Sequence, residues 1–314
     1  MHVINTIAPV VLIISVGICL RRVGFISRED YQPVMRLVYW VGLPCLLFYK
    51  TAQVTIRAGA AFDIFVVLLG GTVTSVVAAG LGCILLRFRK GARGVFLQGA
   101  YRGNLAYVGL PLILFSLAGS NVGGSGELEA LAVVAIAPLI PLYNALAVVF
   151  LVADGQRQSG GDSVHWGTLL IRVVRNPLIL ACALGIGYSV TGWVLPVPLG
   201  RACATLGNMA LPAALLGMGV TLTFSSLHGK LSPALAAALI KVGVAPVAGY
   251  LLASVLRLPL GQAQIAVLYL GCPTAVTSYV MAQQLGADDE LARNIVVVST
   301  LLAIPVLSVI LVLF

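Results

Sequence analysis

Two long apolar segments of the chain are each interrupted by polar and helix-breaking residues. The first interruption reads GNLAYVGLPL (103–112) and the second reads GCPTAVTSY (271–279). Proline lacks a backbone donor and glycine disfavours helix, so both stretches predict broken helices. A helix that restarts after a break presents unpaired N–H groups at the positive end of its dipole, which suits an anion. The two interruptions therefore predict a binding site for an anion.

Side chains near the interruptions add hydrogen-bonding groups, because Asn104 and Thr274 carry polar atoms and Tyr107 adds a ring with a hydroxyl. The candidate substrate-binding residues are Arg102, Asn104, Tyr107, Pro111, Lys241, Pro273, Thr274, Thr277 and Ser278. A plainer alternative is that proline and glycine only kink packed helices, while the polar groups bond to neighbouring backbone.

Two cationic side chains, Arg102 and Lys241, lie well inside apolar segments. A charge at the centre of a membrane costs about 2.5–3.5 kcal/mol on insertion scales, so such residues usually face a polar cavity. Lys241 could instead extend to the cytoplasmic interface, and Arg102 could pair with nearby carbonyl groups. Asp and Glu occur only near segment ends. Since sodium and proton exchangers rely on buried carboxylates, this distribution favours an anionic substrate.

The elements that must position these residues are membrane-spanning helices. The chain is 60% hydrophobic and 9% charged, with a mean hydropathy of +1.06. Soluble domains carry about 25% charged residues, and a membrane span needs about 20 mostly apolar ones. The sequence thus predicts an all-α integral membrane protein with ten spans, at about 3–21, 31–50, 61–86, 94–117, 127–151, 169–190, 199–222, 232–256, 261–286 and 291–313.

The basic residues predict the orientation of these spans, because cytoplasmic loops are enriched in Lys and Arg. If the N-terminus lies outside, twelve basic residues fall in cytoplasmic loops and four in outer loops. The cytoplasmic set is Arg21, Arg22, Arg28, Arg87, Arg89, Lys90, Arg93, Arg157, Arg172, Arg175, Lys230 and Arg293; the outer set is Lys50, Arg57, Arg201 and Arg257. Both termini are therefore expected on the extracytoplasmic side of the membrane.

The net charge of +9 comes mainly from the Lys and Arg residues of these loops, and no nucleic-acid partner is expected.

The cysteines and histidines do not form a recognisable metal or catalytic pattern. The six cysteines lie in or beside apolar segments without a CxxC pair, and His2, His165 and His228 are scattered near segment ends. We expect no metal site, no cofactor and no disulfide. An enzyme would need a nucleophile–base pair or a metal cluster at one depth, so we expect that the protein is not an enzyme.

The two halves of the chain resemble each other when the sequence is shifted by 168 residues. The register pairs Pro9 with Pro177, Gly17 with Gly185, Leu43-Pro44 with Leu211-Pro212, Tyr101 with Tyr269 and Gly103 with Gly271. We expect a first five-helix repeat at 1–152, a cytoplasmic linker at 153–166 and a second repeat at 167–314. An odd number of spans inverts the second copy, an arrangement typical of alternating-access carriers. The Pro44–Pro212 pair is expected to kink helices.

The GNLAYVGLPL motif, the NPLI at 176–179 and the short polar linker together resemble the auxin efflux carrier family. This family holds the plant PIN-FORMED carriers and bacterial malonate-type transporters, and the resemblance covers essentially the whole chain. It implies ten helices in two inverted repeats with crossed broken helices four and nine, similar to the fold of bile-acid symporters and sodium–proton antiporters. Asn104, Tyr107 and Pro111 match the family motif at the crossover, and Pro273 matches the proline of the ninth span.

The resemblance further implies a mechanism and a location. Spans 1, 2, 6 and 7 would form a scaffold that dimerises, and spans 3–5 and 8–10 would form a transport domain that moves like an elevator. We therefore expect a carrier of small organic anions, auxin-like or malonate-like, in the bacterial inner membrane, with carboxylate, lipid and a second copy as partners. The alternatives are a sodium-coupled organic-anion symporter of the bile-acid type, a pore or sensor, and a membrane-embedded enzyme acting on lipid.

Overall fold

The computed structural model describes residues 2–53, 58–85, 88, 91–118, 125–155, 177–222 and 230–314. The histidines at 165 and 228 and most of the predicted linker lie outside the described residues. So do seven of the basic residues used for orientation, namely Arg57, Arg87, Arg89, Lys90, Arg157, Arg172 and Arg175.

The described residues form helices joined by short turns, and an isolated antiparallel β-bridge joins Gly103 to Thr274. The helices are α1 His2–Arg22, α2 Arg28–Leu37, α3 Leu43–Ala52, α4 Ala58–Leu85, α5 Arg93–Tyr101, α6 Leu110–Ala118, α7 Ser125–Ile136, α8 Leu139–Gly155, α9 Pro177–Val190, α10 Val197–Thr221, α11 Leu231–Leu239, α12 Ala245–Val255, α13 Leu260–Gly271, α14 Thr277–Gln284 and α15 Asp289–Leu313.

Five helical stretches within the described residues are long and apolar enough to cross a membrane. They are Gly59–Leu85, Gly126–Asp154, Val197–Thr221, Leu231–Val255 and Asp289–Leu313, and shorter apolar helices cover Leu105–Ala118, Pro177–Val190 and Leu260–Gly271. Large apolar side chains such as Leu184 and Val312 are exposed on these helices, as lipid contact requires. The chain is therefore an all-helical, multi-pass membrane protein, as predicted.

Wide π-helical turns precede three prolines. The turns cover Val38–Gly42, Leu105–Gly109 and Ile240–Val244, two residues before Pro44, Pro111 and Pro246 respectively. In the first, Leu43 N–H donates to the carbonyl of Val38, five residues back. Proline has no N–H and its ring clashes with the carbonyl four residues back, so the chain widens just before it. Pro212, the repeat partner of Pro44, lies inside the helix α10 instead.

The chain forms two compact units. The first comprises Met1–Phe65, Ala106–Leu139 and Leu170–Thr221, and the second comprises Val66–Leu105, Ile140–Leu169 and Leu222–Phe314.

Close glycine contacts hold the helices of the first unit together. A Cβ added at Gly17 in α1 would lie 3.0 Å from the Cα of Gly219 in α10. A Cβ at Gly185 in α9 would lie 2.8 Å from the carbonyl oxygen of Phe48 in α3. Small residues allow such close backbone approach, which is how helices commonly pack in membranes.

Candidate substrate site at the two helix interruptions

Both predicted interruptions are present in the backbone. Helix α5 ends at Tyr101, and Arg102 leaves helical geometry with φ −78° and ψ 88°. Helix α13 ends at Gly271, where Cys272 is extended with φ −63° and ψ 148°, and α14 begins only at Thr277. The predicted breaks near Gly103 and Pro273 are thus confirmed.

The two interruptions bind to each other within the second unit. Asn104 N–H donates to the carbonyl of Pro273 at 2.8 Å, and Ala275 N–H donates to the carbonyl of Arg102 at 2.8 Å. These bonds flank the antiparallel bridge between Gly103 and Thr274. Extended backbone inside a membrane is tolerated only when its polar groups are satisfied by protein or by water in a cavity. Each break therefore supplies hydrogen-bond partners to the other.

The N–H groups at this pairing are not free to bind an anion. Those of Asn104 and Ala275 donate to the facing strand, and that of Thr274 donates to Ser299 Oγ at 3.0 Å. The Thr274 hydroxyl also donates its proton, to the Gly99 carbonyl at 2.7 Å. The physical reason is that buried backbone groups must be paired, and the two broken segments pair with one another.

Lys241 does not extend to a membrane interface. Its side chain lies in the π turn Ile240–Val244, is 1% exposed, and donates from Nζ to the carbonyl of Leu270 at 2.5 Å. Its Nζ would lie 3.3 Å from a Cβ added at Gly103, so the ammonium group is beside the first interruption. The alternative that Lys241 extends to the cytoplasmic interface is therefore wrong, and the ammonium lies at the negative end of α13.

Arg102 is 4% exposed and its guanidinium group contacts neutral side chains. It donates to Asn144 Oδ1, lies 2.8 Å from the Met281 sulfur, and lies 3.5 Å from Gln98 Oε1. The nearby carbonyl groups with which this guanidinium pairs are those of the amide side chains of Asn144 and Gln98. Among the described residues Arg102 makes no ion pair.

Gln98 connects Arg102 to the second interruption. It is fully buried and its Nε2 donates to the carbonyl of Ser278 at 3.0 Å, while its Oε1 faces Arg102. The Ser278 hydroxyl is buried and has no hydrogen-bond partner among the described residues. Gln98 and Asn144 are not among the predicted site residues, although Gln98 precedes Arg102 by one helical turn and Asn144 is an amide in an apolar span.

The remaining predicted residues are placed differently. Tyr107 and Pro111 belong to the first unit, where Tyr107 is half-buried and Pro111 is buried at the second position of α6. Thr277 is exposed at the first position of α14. The hydrogen bonds therefore bring together Arg102, Asn104, Lys241, Pro273, Thr274 and Ser278 in the second unit.

Arg102 and Lys241 are the charged side chains buried in the described part of the chain, and no acidic side chain is buried there. No group of three His, Cys, Asp or Glu residues in that part is placed to hold a metal ion. The geometry at the interruptions is thus a polar, positively charged region within apolar helices, which can neutralise a negative charge.

The sequence is similar along most of its length to proteins that are named as transporters. The family described as "Membrane transport protein" matches residues 2–159 and 164–311. A Rhizobium meliloti protein named "Putative malonate transporter" is 30% identical over 288 residues, which cover 85% of this chain and 82% of that protein. A Methanothermobacter thermautotrophicus protein named "Uncharacterized transporter" is 22% identical over 314 residues, 98% of each chain. The chain therefore belongs to the membrane transport protein family of the auxin efflux carriers.

Proposed function

We propose that this protein is a secondary transporter of small organic anions, auxin-like or malonate-like carboxylates, which bind at the two joined helix interruptions. The observation that carries the proposal is the burial of Arg102 and Lys241 beside the Gly103–Thr274 bridge, with no acidic side chain buried in the described residues.

The charge balance of this region favours an anion. Burying a cation without a counter-charge is costly, and a bound carboxylate removes that cost by pairing with the cation. Binding energy of this kind is available only to a ligand of opposite charge. The name of the Rhizobium meliloti relative, a malonate transporter, supports a carboxylate as the substrate class.

The proposed architecture has ten spans in two inverted repeats, at 1–152 and 167–314, joined by a cytoplasmic linker at 153–166. The glycine contacts of the first unit support it, because Gly17 and Gly185 are related by the repeat. Gly17 in the first span packs on α10, the proposed seventh span, and Gly185 in the sixth span packs on α3, which is part of the second. Two inverted repeats would form such equivalent contacts, with the first helix of each repeat packed on the second helix of the other.

The proposed transport cycle is an elevator-type movement. Spans 1, 2, 6 and 7 would form a scaffold that dimerises in the inner membrane, with both termini extracytoplasmic. Spans 3–5 and 8–10 would carry the bound anion across it, presenting the site alternately to the two sides.

A sodium-coupled symporter of the bile-acid type is the alternative. Sodium is a hard cation and takes oxygen ligands, commonly carboxylates in coupled transporters. No acidic side chain is buried among the described residues, which argues against such a symporter. Transport by the symporter would require sodium, whereas transport by the proposed carrier would not.

The test is transport by the purified protein in liposomes. We expect saturable counterflow of at least one labelled acid from a panel of acetate, lactate, malonate, succinate and indole-3-acetate, equal in sodium and potassium buffers. Asn104→Ala should abolish this counterflow while the protein remains folded, whereas Asn208→Ala, an exposed position on α10, serves as the control. Absence of counterflow for every acid would overturn the proposed function.

A further inference from the structure

The two buried cations at the interruptions, Lys241 and Arg102, donate hydrogen bonds to different kinds of acceptor. Lys241 Nζ donates to a backbone carbonyl, that of Leu270, at 2.5 Å. The Arg102 guanidinium reaches only the neutral side chains of Gln98, Met281 and Asn144. This difference separates a structural cation from one that is available to a ligand.

Lys241 completes the end of a helix. In a continuous helix the carbonyl of Leu270 would accept from the N–H of Thr274, four residues on. That N–H donates instead to Ser299 Oγ at 3.0 Å, because the helix has ended at Gly271. The ammonium group of Lys241 supplies the missing donor, and a cation is favourable at this C-terminal end.

The Arg102 side chain completes no helix end, because its partners are all side chains. A guanidinium group carries five N–H donors in a planar fork that matches a carboxylate with two parallel bonds. Here one terminal nitrogen of the fork donates to Asn144 Oδ1, and the other faces a thioether, a weak acceptor on a flexible side chain, with the Met281 sulfur at 2.8 Å. A carboxylate is a far stronger acceptor and would displace the thioether from the guanidinium group.

Ser278 provides a second donor on an element that is linked to Arg102 through Gln98. Its hydroxyl is buried without a partner among the described residues, and it precedes Met281 by one turn on the same face of α14. Its carbonyl is bonded to Gln98, whose other amide atom faces Arg102. Buried hydroxyl groups are nearly always hydrogen-bonded, so an unpaired one on the helix whose Met281 contacts Arg102 indicates a place for a ligand oxygen.

We infer that Arg102 and Ser278 bind the carboxylate of the substrate, with Asn144 and Gln98 orienting the guanidinium group and Met281 yielding its place, while Lys241 stabilises the end of α13. This inference rests on the proposed function and narrows its site to one carboxylate-binding arginine.

The decisive variant places a carboxylate permanently beside Arg102. Met281→Glu should neutralise the guanidinium group and block the site. The control is Met281→Gln, whose side chain has the same size as that of glutamate but no charge. The ligand is the panel acid that the wild-type protein binds best, and its binding is measured with the labelled acid and the purified full-length chain. We expect Met281→Glu to bind this acid roughly 10- to 100-fold more weakly than Met281→Gln does. Equal affinities of these two variants would overturn the inference.

Paired substitutions of the two cations separate affinity from stability. Arg102→Gln should weaken binding of the same acid more than Lys241→Gln does, and Arg102→Lys should not restore it because the planar fork is lost. Lys241→Gln should lower the melting temperature of the ligand-free protein more than Arg102→Gln does. The reverse pattern would overturn the inference while leaving the proposed function intact. If the wild-type chain binds no acid of the panel, the proposed function fails and this inference fails with it.

Discussion

The Thr274 hydroxyl donates to the carbonyl oxygen of Gly99 across 2.7 Å and so joins the second interruption to the last turn of α5. In a continuous helix this carbonyl would accept from the N–H of Gly103, but the helix has ended at Tyr101. The hydroxyl proton is thereby committed to the protein. Thr274 is a residue that holds the two interruptions together, and it has no proton left to donate to a carboxylate.

Removing this hydroxyl should destabilise the protein. Thr274→Val keeps the shape of the side chain but leaves the Gly99 carbonyl buried and unpaired, which costs about 1–3 kcal/mol. Thr274→Ser keeps the donor and should lie closer to wild type. Thermal unfolding in detergent measures the difference, and a valine variant as stable as the serine variant would contradict this role.

Two glycines on α9 provide a matched test of helix packing in the first unit. Gly185→Ala would place a Cβ 2.8 Å from the Phe48 carbonyl, whereas a Cβ at Gly187 meets no atom within 4 Å. We expect Gly185→Ala to cost about 1–3 kcal/mol through overpacking. Gly187→Ala should be neutral or stabilising, because alanine favours helix over glycine. Equal unfolding temperatures for the two variants would show that α9 does not pack closely on α3.

The ion pair between Lys50 and Glu129 joins α3 to α7 and is partly shielded from solvent, with side chains 26% and 16% exposed. A double-mutant cycle with Lys50→Met and Glu129→Gln should give a coupling of about 1–2 kcal/mol, between the values for exposed and for buried pairs. The pair of Arg293 and Asp289, four residues apart on α15 and more exposed, is the control. Its coupling should be about 0.3–0.5 kcal/mol. A smaller coupling for Lys50 and Glu129 than for this control would argue against a stabilising link between α3 and α7.

Alkaline pH should weaken the contact between the starts of α11 and α15. Lys230 Nζ lies 2.8 Å from Asp288 Oδ2 and 3.3 Å from Glu290, and its hydrogen bond to Asp288 raises the pKa of Lys230. A raised pKa in the folded state means that the stabilisation is fully present below the unfolded value of about 10.4 and is lost as pH rises through the folded pKa.

The melting temperature of wild type should therefore exceed that of Lys230→Met at neutral pH, and the difference should shrink as pH rises above about 10.4. Lys230→Arg is the control, because its guanidinium group remains charged at such pH and its difference from Lys230→Met should persist. A wild-type difference that does not change with pH would exclude this titration.

Much of the fold follows from local properties of the residues. The near absence of charge from long stretches requires a membrane, since no soluble fold could cover its surface so sparsely. Gly103 and Pro273 favour breaks in their helices, because a missing side chain and a missing N–H are properties of those residues alone, although Pro212 shows that a proline can also lie within a helix. The motif around Asn104 likewise indicates the transporter family by its residue types and spacing alone.

Only the tertiary structure decided which groups form hydrogen bonds with the backbone at each helix interruption. Thr274 and Gly99 are 175 residues apart, and Gln98 and Ser278 are 180 apart. No local pattern distinguishes a lysine that caps a carbonyl at Leu270 from one that reaches the membrane surface. Hydrophobic periodicity and residue chemistry determine where a helix forms and where it stops. The partners of a buried polar group depend on which distant segments the fold brings within hydrogen-bonding distance.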